Sequence, residues 1–243
     1  VLHVSDIHNN PIAFDFMEQV IKNFSVDFVI DTGDLTDYGT PLEDVVIKNL
    51  SQLPIKYVFA AGNHDSLNTV EMLKDIENVI VLDGSMVNIQ GINILGFMDP
   101  TAETQDIATP NELVLSDFNL DIYKKLWSIE ELPDILAVHN PKGTENLGGK
   151  VPVVLNGHTH KLSLNQVKNS LIINAGTTGA AGIRGLQAKD DIPYSAVLLY
   201  FKEDVENESR PQLFAVDVIK IQNYRAGFQV ERLFFQQESD PHE

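Results

Sequence analysis

The sequence contains no cysteine, which rules out a disulfide framework, a thiolate nucleophile and cysteine-ligated zinc, and leaves any metal to oxygen and nitrogen ligands. It is poor in positive charge: 17 Lys and Arg stand against 35 Asp and Glu, for a formal net charge of −18. A long polyanion such as duplex DNA is repelled by such a chain, so no nucleic acid partner is expected. Most of these carboxylates need no role beyond a well-solvated surface. No apolar run approaches the roughly 20 residues that span a bilayer, and there is no internal repeat or low-complexity segment. An initiating Met is missing, and the chain starts inside the apolar run Val1 to Val4. Upstream sequence, with room for a signal peptide or membrane anchor, is therefore expected. These features suit an extracytoplasmic domain of a membrane-anchored protein, with a truncated cytoplasmic enzyme as the alternative.

What is present is ordinary for a globular protein. With 43% hydrophobic and 21% charged residues over 243 positions, the chain can bury a sizeable core, and one domain covering residues 1–243 is expected. Val1 to Val4 reads as a strand, followed by a helix over Pro11 to Phe24 with Asn10 at the N-cap and Pro11 at N1. Asp27 to Thr32 reads as a buried strand. Thr40, Pro41 and Glu43 form a capping-box pattern that opens a helix to about Leu53, and Lys56 to Ala61 reads as the next strand. This βαβαβ alternation predicts a parallel sheet covered by helices, with polar chemistry just past the carboxyl ends of the strands. Further on, a helix near Ser66 to Ile76 precedes short strands at Val79 to Leu82, Met86 to Ile89 and Ile92 to Phe97, separated by Gly84 and Gly91. A helix over Asn111 to Glu131 and strands at Ile135 to Val138 and Val153 to Leu155 follow. Leu162 to Phe235 reads as an antiparallel meander, and Asp99 to Thr109, Lys142 to Lys150 and Gly176 to Asp191 read as loops.

Five short clusters follow strand-like segments: Asp6-Ile7-His8, Gly33-Asp34-Leu35-Thr36-Asp37, Gly62-Asn63-His64-Asp65, His139-Asn140 and Gly157-His158-Thr159-His160. Each alone fits a capped turn as well as a metal site. Five of the seven histidines, however, fall inside them, leaving only His3 and His242 outside, and neither of these is assigned a role. The i, i+2 spacing of Asp6/His8 and His158/His160 would point each pair to one face of an extended backbone, so that each pair converges on a common point. Gly33, Gly62 and Gly157 precede ligand candidates, where a missing Cβ lets the chain turn sharply at a strand end.

In this order the clusters resemble the calcineurin-like metallophosphoesterase family, whose pattern runs D-x-H, G-D-x-x-D, G-N-H-D or G-N-H-E, H, and G-H-x-H. The resemblance spans Asp6 to His160 and is specific as a combination although no single block is. It implies an α/β fold, a four-layer sandwich of two mixed β-sheets flanked by helices, with the metal site at one edge. It further implies two divalent metal ions: Asp6, His8 and His160 on one, Asn63, His139 and His158 on the other, and Asp34 bridging both. Mn, Fe or Zn suits the mixed imidazole and carboxylate set better than Mg. Two cations and two carboxylates with a bridging hydroxide leave a site charge of about +1, which attracts a phosphorylated small substrate despite the acidic surface. The hydroxide would act as nucleophile on a phosphate ester clamped by the pair. His64 would be the proton donor or transition-state stabiliser, and Asp65 would either hydrogen-bond its other ring nitrogen or cap the following helix. Asp37 would steady the loop or a neighbouring ligand, and Asn140 and Arg184 are candidates for touching the phosphate.

The second block, Leu35-Thr36-Asp37-Tyr38-Gly39, carries no Arg and the third ends in Asp65, which departs from the Ser/Thr protein phosphatase branch. The prokaryotic phosphodiesterase-like branch is the better match, so a phosphodiester is the expected substrate and a phosphomonoester the alternative. A non-catalytic scaffold of this fold is opposed by the complete ligand set, and a nuclease by the net charge and the lack of a basic stripe.

Overall fold

The computed structural model of the chain describes residues 1–37, 43–102, 111–180, 182, 192–204, 209–221, 227 and 229–234. The expected start of the second helix at Thr40 and Pro41, Arg184 and His242 lie outside these residues. The elements run β1 (Leu2–Val4), α1 (Pro11–Phe24), β2 (Phe28–Asp31), α2 (Glu43–Gln52), β3 (Lys56–Phe59), α3 (Leu67–Lys74), β4 (Val79–Val81), β5 (Met86–Ile89), β6 (Ile92–Phe97), α4 (Glu112–Ser128), β7 (Ile135–Val138), β8 (Val153–Asn156), β9 (Ser163–Val167), β10 (Ser170–Asn174), β11 (Tyr194–Asp204), β12 (Ser209–Ile221) and β13 (Gln229–Phe234).

The strands form two mixed sheets. One has seven strands in the order β13-β12-β11-β1-β2-β3-β4, the other six in the order β5-β6-β7-β8-β10-β9. Strands β1 to β4 pair in parallel, as do β6, β7, β8 and β10.

Three apolar layers hold the sandwich together, and the strands feed two of them at once by alternation. Val29, Tyr57 and Phe59 face α1, α2 and α3 through Met17, Val20, Val46, Leu50 and Leu73. Their neighbours Phe28, Ile30, Val58 and Ala60 face the other sheet, meeting Ile94, Ile135, Ala137, Val153 and Leu155. On the far side, Leu95, Leu136, Val138 and Val154 meet Ile122 and Leu126 of α4. Successive side chains point to opposite faces of a strand, so a strand buried on both faces reads as continuously apolar. The expected four-layer architecture is the observed one.

Local signals explain the helix limits. Asn10 caps α1 by accepting from the Ile12 amide, with Pro11 at N1. Ser66 caps α3, and Asn111 caps α4 through the Val114 amide. Helix α4 stops at Ser128 rather than running to Glu131 because Ile129 is extended (φ −93°, ψ 141°). Pro133 follows closely, and the residue ahead of a proline disfavours helix.

The antiparallel expectation for the second half is corrected at β10. That strand inserts between β8 and β9, pairing parallel with β8 (Leu171↔Val153) and antiparallel only with β9. The run Leu171-Ile172-Ile173 fits an inner strand covered on both faces. The segment expected as loop from Lys142 begins inside a short 3₁₀ helix, Pro141–Thr144.

Candidate functional site

The carboxyl ends of β1, β2 and β3 in one sheet, and of β6, β7 and β8 in the other, come together at one edge of the sandwich. Backbone hydrogen bonds join the turns that follow them: Asp6 N to Gly33 O (2.9 Å), His8 N to Asp34 O (3.0 Å), Asp99 N to Ala61 O (2.8 Å) and Gly157 N to His139 O (2.9 Å). The sheets are tied across the sandwich by the His158 amide donating to Asp6 Oδ2 (2.9 Å) and by His139 Nδ1 donating to the Thr32 carbonyl (2.8 Å).

The backbone there is not extended. Asp6 (φ 54°), His8 (φ 49°), Asp34 (φ 55°), His158 (φ 70°) and His160 (φ 55°) all occupy the left-handed region, which L-residues seldom adopt and which clusters at functional sites. Convergence in the two i, i+2 pairs therefore comes from tight left-handed turns and not from strand pleat. It also differs between the pairs: Asp6 and His8 meet at one point, whereas His158 and His160 go to different points. Glycine is required at two places. Gly33 has φ +98°, and a Cβ there would lie 2.3 Å from Gly62 N; a Cβ on Gly62 would lie 2.3 Å from Asp34 Oδ1.

All seven ligand candidates are brought together, in two sets that share Asp34. In the first, His160 Nε2 lies 3.1 Å from Asp6 Oδ1 and 3.1 Å from His8 Nε2, and His8 Nε2 lies 3.8 Å from Asp34 Oδ2. In the second, His139 Nε2 lies 3.2 Å from Asp34 Oδ2, 3.1 Å from Asn63 Oδ1 and 3.1 Å from His158 Nδ1, and the last two atoms are 2.9 Å apart. Metal bonds of about 2.1 Å subtend ligand-to-ligand edges of about 3.0–3.4 Å, which the spacings match apart from the wider 3.8 Å between His8 and Asp34. Two further observations support the fit. Asp6 Oδ1 is buried without a hydrogen-bond donor, while its Oδ2 accepts from Ser5 Oγ (2.6 Å) and the His158 amide. The Thr32 carbonyl holds the His139 proton on Nδ1, which turns the Nε2 lone pair inward, the arrangement usual for metal-binding histidines. Asp6/His8/His160 and Asp34/His139/His158 are both groups that could hold a metal ion.

Electrostatics without metal show the same pull toward a cation. Burial lowers the basicity of His139, but the adjacent Asp34 carboxylate outweighs it and takes its pKa to about 10. Burial would raise Asp34, and His139, His8 and His64 overturn this and hold it below the usual carboxylate range. His158 is lowered by burial and by His139. Without metal the His139–Asp34 pair thus favours a positive charge beside the carboxylate, the place a metal ion would take.

Asp65 corrects the sequence reading. It neither bonds the His64 ring nor caps α3, whose cap is Ser66. Its buried carboxylate accepts from the amides of Gly62 (2.8 Å), Asp34 (2.8 Å) and Thr36 (2.9 Å) and from Thr36 Oγ1 (3.1 Å). It stitches the second block to the third, and burial with the Asp34 charge raises its pKa to about 6. The carboxylate facing the imidazoles is Asp37, with Oδ1 3.8 Å from His64 Nδ1 and 3.6 Å from His8 Nδ1. His64 Nε2 points toward Asp34 Oδ2 at 4.0 Å, and the His64 amide donates to Asp34 Oδ1 (2.9 Å). Asn140 is also reassigned: its side-chain oxygen caps the 3₁₀ helix through the Lys142 amide (3.0 Å).

The loop expected from Gly176 follows β10, and the sequence reading missed what it holds. Thr177 Oγ1 donates to Asp6 O (2.7 Å), the Thr178 amide to Ser5 O (2.8 Å) and the Gly179 amide to Asp6 O (3.2 Å). Gly, Thr and Ala composition marks a loop, and nothing local to it signals that it braces residues about 170 positions earlier.

The family model for calcineurin-like phosphoesterase matches residues 1–162. The chain belongs to that family, and it is accordingly a metal-dependent phosphoesterase. No curated protein sequence matches it significantly. Among solved structures it is similar to TT1561 of Thermus thermophilus (TM-score 0.59, 13% identity, 80% of this chain and 92% of that one). It is similar also to Vacuolar Protein Sorting 29 from Cryptosporidium parvum (TM-score 0.50, 18% identity, 97% of each chain). A third similar structure is a novel archaeal phosphodiesterase (TM-score 0.49, 19% identity, 87% and 98%).

Proposed function

We propose that the protein hydrolyses a small phosphodiester at a centre of two divalent cations. One would be held by Asp6, His8 and His160, the other by Asn63, His139 and His158, with Asp34 common to both. The observation that carries this reading is the convergence of the seven ligand atoms into two sets about Asp34 Oδ2, at spacings of 2.9 to 3.8 Å. A bound cation pair supplies an acidified water and neutralises charge developing on phosphoryl oxygens. The mixed nitrogen and carboxylate donors favour Mn, Fe or Zn over Mg.

The chain's own residues do the rest. Asp34 and Asn63 would hold the metal ions, each within 3.2 Å of His139 Nε2. His64, outside both ligand sets, presents Nε2 to the site, where it stabilises or protonates the departing ester oxygen, while Asp37 faces its Nδ1. Protonation of the leaving oxygen by a positioned histidine is worth about 10² to 10⁴ in rate. The compact Gly62-Asn63-His64-Asp65 block and the lack of an Arg in the second block favour a diester over a protein phosphomonoester.

Hydrolysis of bis-p-nitrophenyl phosphate beside p-nitrophenyl phosphate tests the reading, with Mn²⁺ supplied or a chelator present. The expected result is chelator-sensitive turnover that favours the diester and is abolished in Asp34→Asn. His64→Ala should lose more rate on an alkyl ester than on the p-nitrophenyl ester, whose leaving group needs no proton. Preference for the monoester would move the protein to the phosphatases, and turnover unaffected by chelation would sink the metal mechanism.

A further inference from the structure

Helix α4 is apolar on two opposite faces. One face, with Leu115, Ile122 and Leu126, is buried against its own sheet. The other carries Leu113, Leu120 and Trp127, which are 77%, 48% and 68% exposed, with Tyr123 beside them at 37%. Leu113, Leu120 and Trp127 are spaced by seven, which lines them along the helix directly away from the core, and Ser116 and Tyr123 fall between them. An apolar stripe of this length on an outer helix marks an interaction surface more often than chance exposure.

We infer that this face pairs with the same face of a second copy of the chain, antiparallel about a two-fold axis at Leu120. Charge along the stripe argues for that occupant. Beside the stripe, Asp117 lies on the amino-terminal side of Leu120 and Lys124, whose Nζ also meets Asp121 Oδ1 (2.9 Å), on the carboxyl-terminal side, with Lys150 beside the aromatic end. A helix charged in this way complements itself only when the second copy runs in the opposite direction. In that register Leu120 meets its own copy, Leu113 packs near the second copy's Trp127, and Asp117 faces the second copy's Lys124 on both sides of the axis. A two-fold interface uses one patch twice and has to be self-complementary in this manner. The aromatic end is already ordered within one copy: Lys150 Nζ sits 5.2 Å from the Trp127 ring centroid and 5.7 Å from that of Tyr123. Immobilising those rings therefore costs less on association.

Sedimentation equilibrium over a wide concentration series tests the pairing. The chain should self-associate to a dimer, and Leu120→Asp, which sets two carboxylates against each other on the axis, should weaken association by about tenfold or more. Asp117→Lys and Lys124→Asp should each weaken it, and the double exchange Asp117→Lys/Lys124→Asp should restore it, while phosphoesterase activity stays at the parent level in all four and reports intact folding. A monomer at all concentrations, or a dimer indifferent to Leu120→Asp, overturns the inference. So does a monomeric chain that sediments with phosphatidylcholine vesicles through Trp127, which would assign the face to a lipid surface.

Discussion

At the scale of single residues, the site depends as much on side chains that hold backbone as on those that offer lone pairs. Asp65 is the example. Its two oxygens take three amides and a hydroxyl from two separate blocks, and no other carboxylate among the described residues does this. Asparagine at this position keeps the size but turns an NH₂ toward amide donors. Asp65→Asn is therefore expected to cost about 2 kcal/mol or more in stability, from buried donors left unpaired. It should also weaken metal binding, since the Asp34 and Gly62 turns lose their common anchor. Urea unfolding and Mn²⁺ calorimetry check the two effects; a variant as stable as the parent would show that the anchor is dispensable. The identity of such residues was legible in the sequence, and Asp37 stands against the ligand candidate His8 as expected, but Asp65 takes neither of the roles expected of it. Sequence adjacency to His64 suggested Asp65 as its partner, whereas the turn after Asn63 directs Asp65 inward and brings Asp37, 27 positions earlier in the chain, to the ring.

At the scale of elements, each strand ends in a turn that leaves regular structure at once, and the left-handed backbone of five ligand candidates is the cost of gathering them at a strand edge. The surrounding hydrogen bonds hold that strain. Gly33→Ala is the clearest test, because φ +98° and a Cβ 2.3 Å from Gly62 N leave no room for a methyl group. It should destabilise by more than about 1 kcal/mol, the usual scale for a side chain forced into positive φ. Metal affinity should fall with it, because the strands beneath remain while the junction of the second and third blocks must open. Calorimetry on the folded variant checks this, and parent-like affinity would show that the turn tolerates displacement. Strand and helix positions were largely readable from alternation and capping, with β5, β6 and β7 matching in both limits. The insertion of β10 beside β8 was not, because strand order depends on non-local pairing and no local pattern carries it.

At the scale of the whole molecule, β1 lies at the middle of the seven-stranded sheet and carries His3 into the core. The ring is buried with Nε2 3.1 Å from Thr32 Oγ1, and burial lowers its pKa to about 3, against a weaker upward pull from Asp6. In the unfolded chain a histidine titrates near 6.5. Between about pH 6.5 and 3 the unfolded chain therefore binds a proton that the folded protein refuses. Stability is present above that window and is lost as pH falls through it, by about 1.4 kcal/mol per pH unit for this one group. The metal-free His3→Phe variant should show a shallower loss of unfolding free energy between pH 6 and 4 than the metal-free parent. Equal slopes would mean that His3 is protonated in the fold or solvated by it.

Read as a string of residues, the chain already carries its chemistry: which oxygens and nitrogens can bind metal, that no sulfur can, and that they fall at strand ends, because alternation and turn residues are local properties. How those groups are brought together is decided only by packing. His158 and His160 are two positions apart and stand in different clusters of ligand candidates; Asp34 and His139 follow strands of different sheets and come within 3.2 Å. Distances of that kind are set by two sheets packing across one apolar layer, to which residues from the whole length of the chain contribute together.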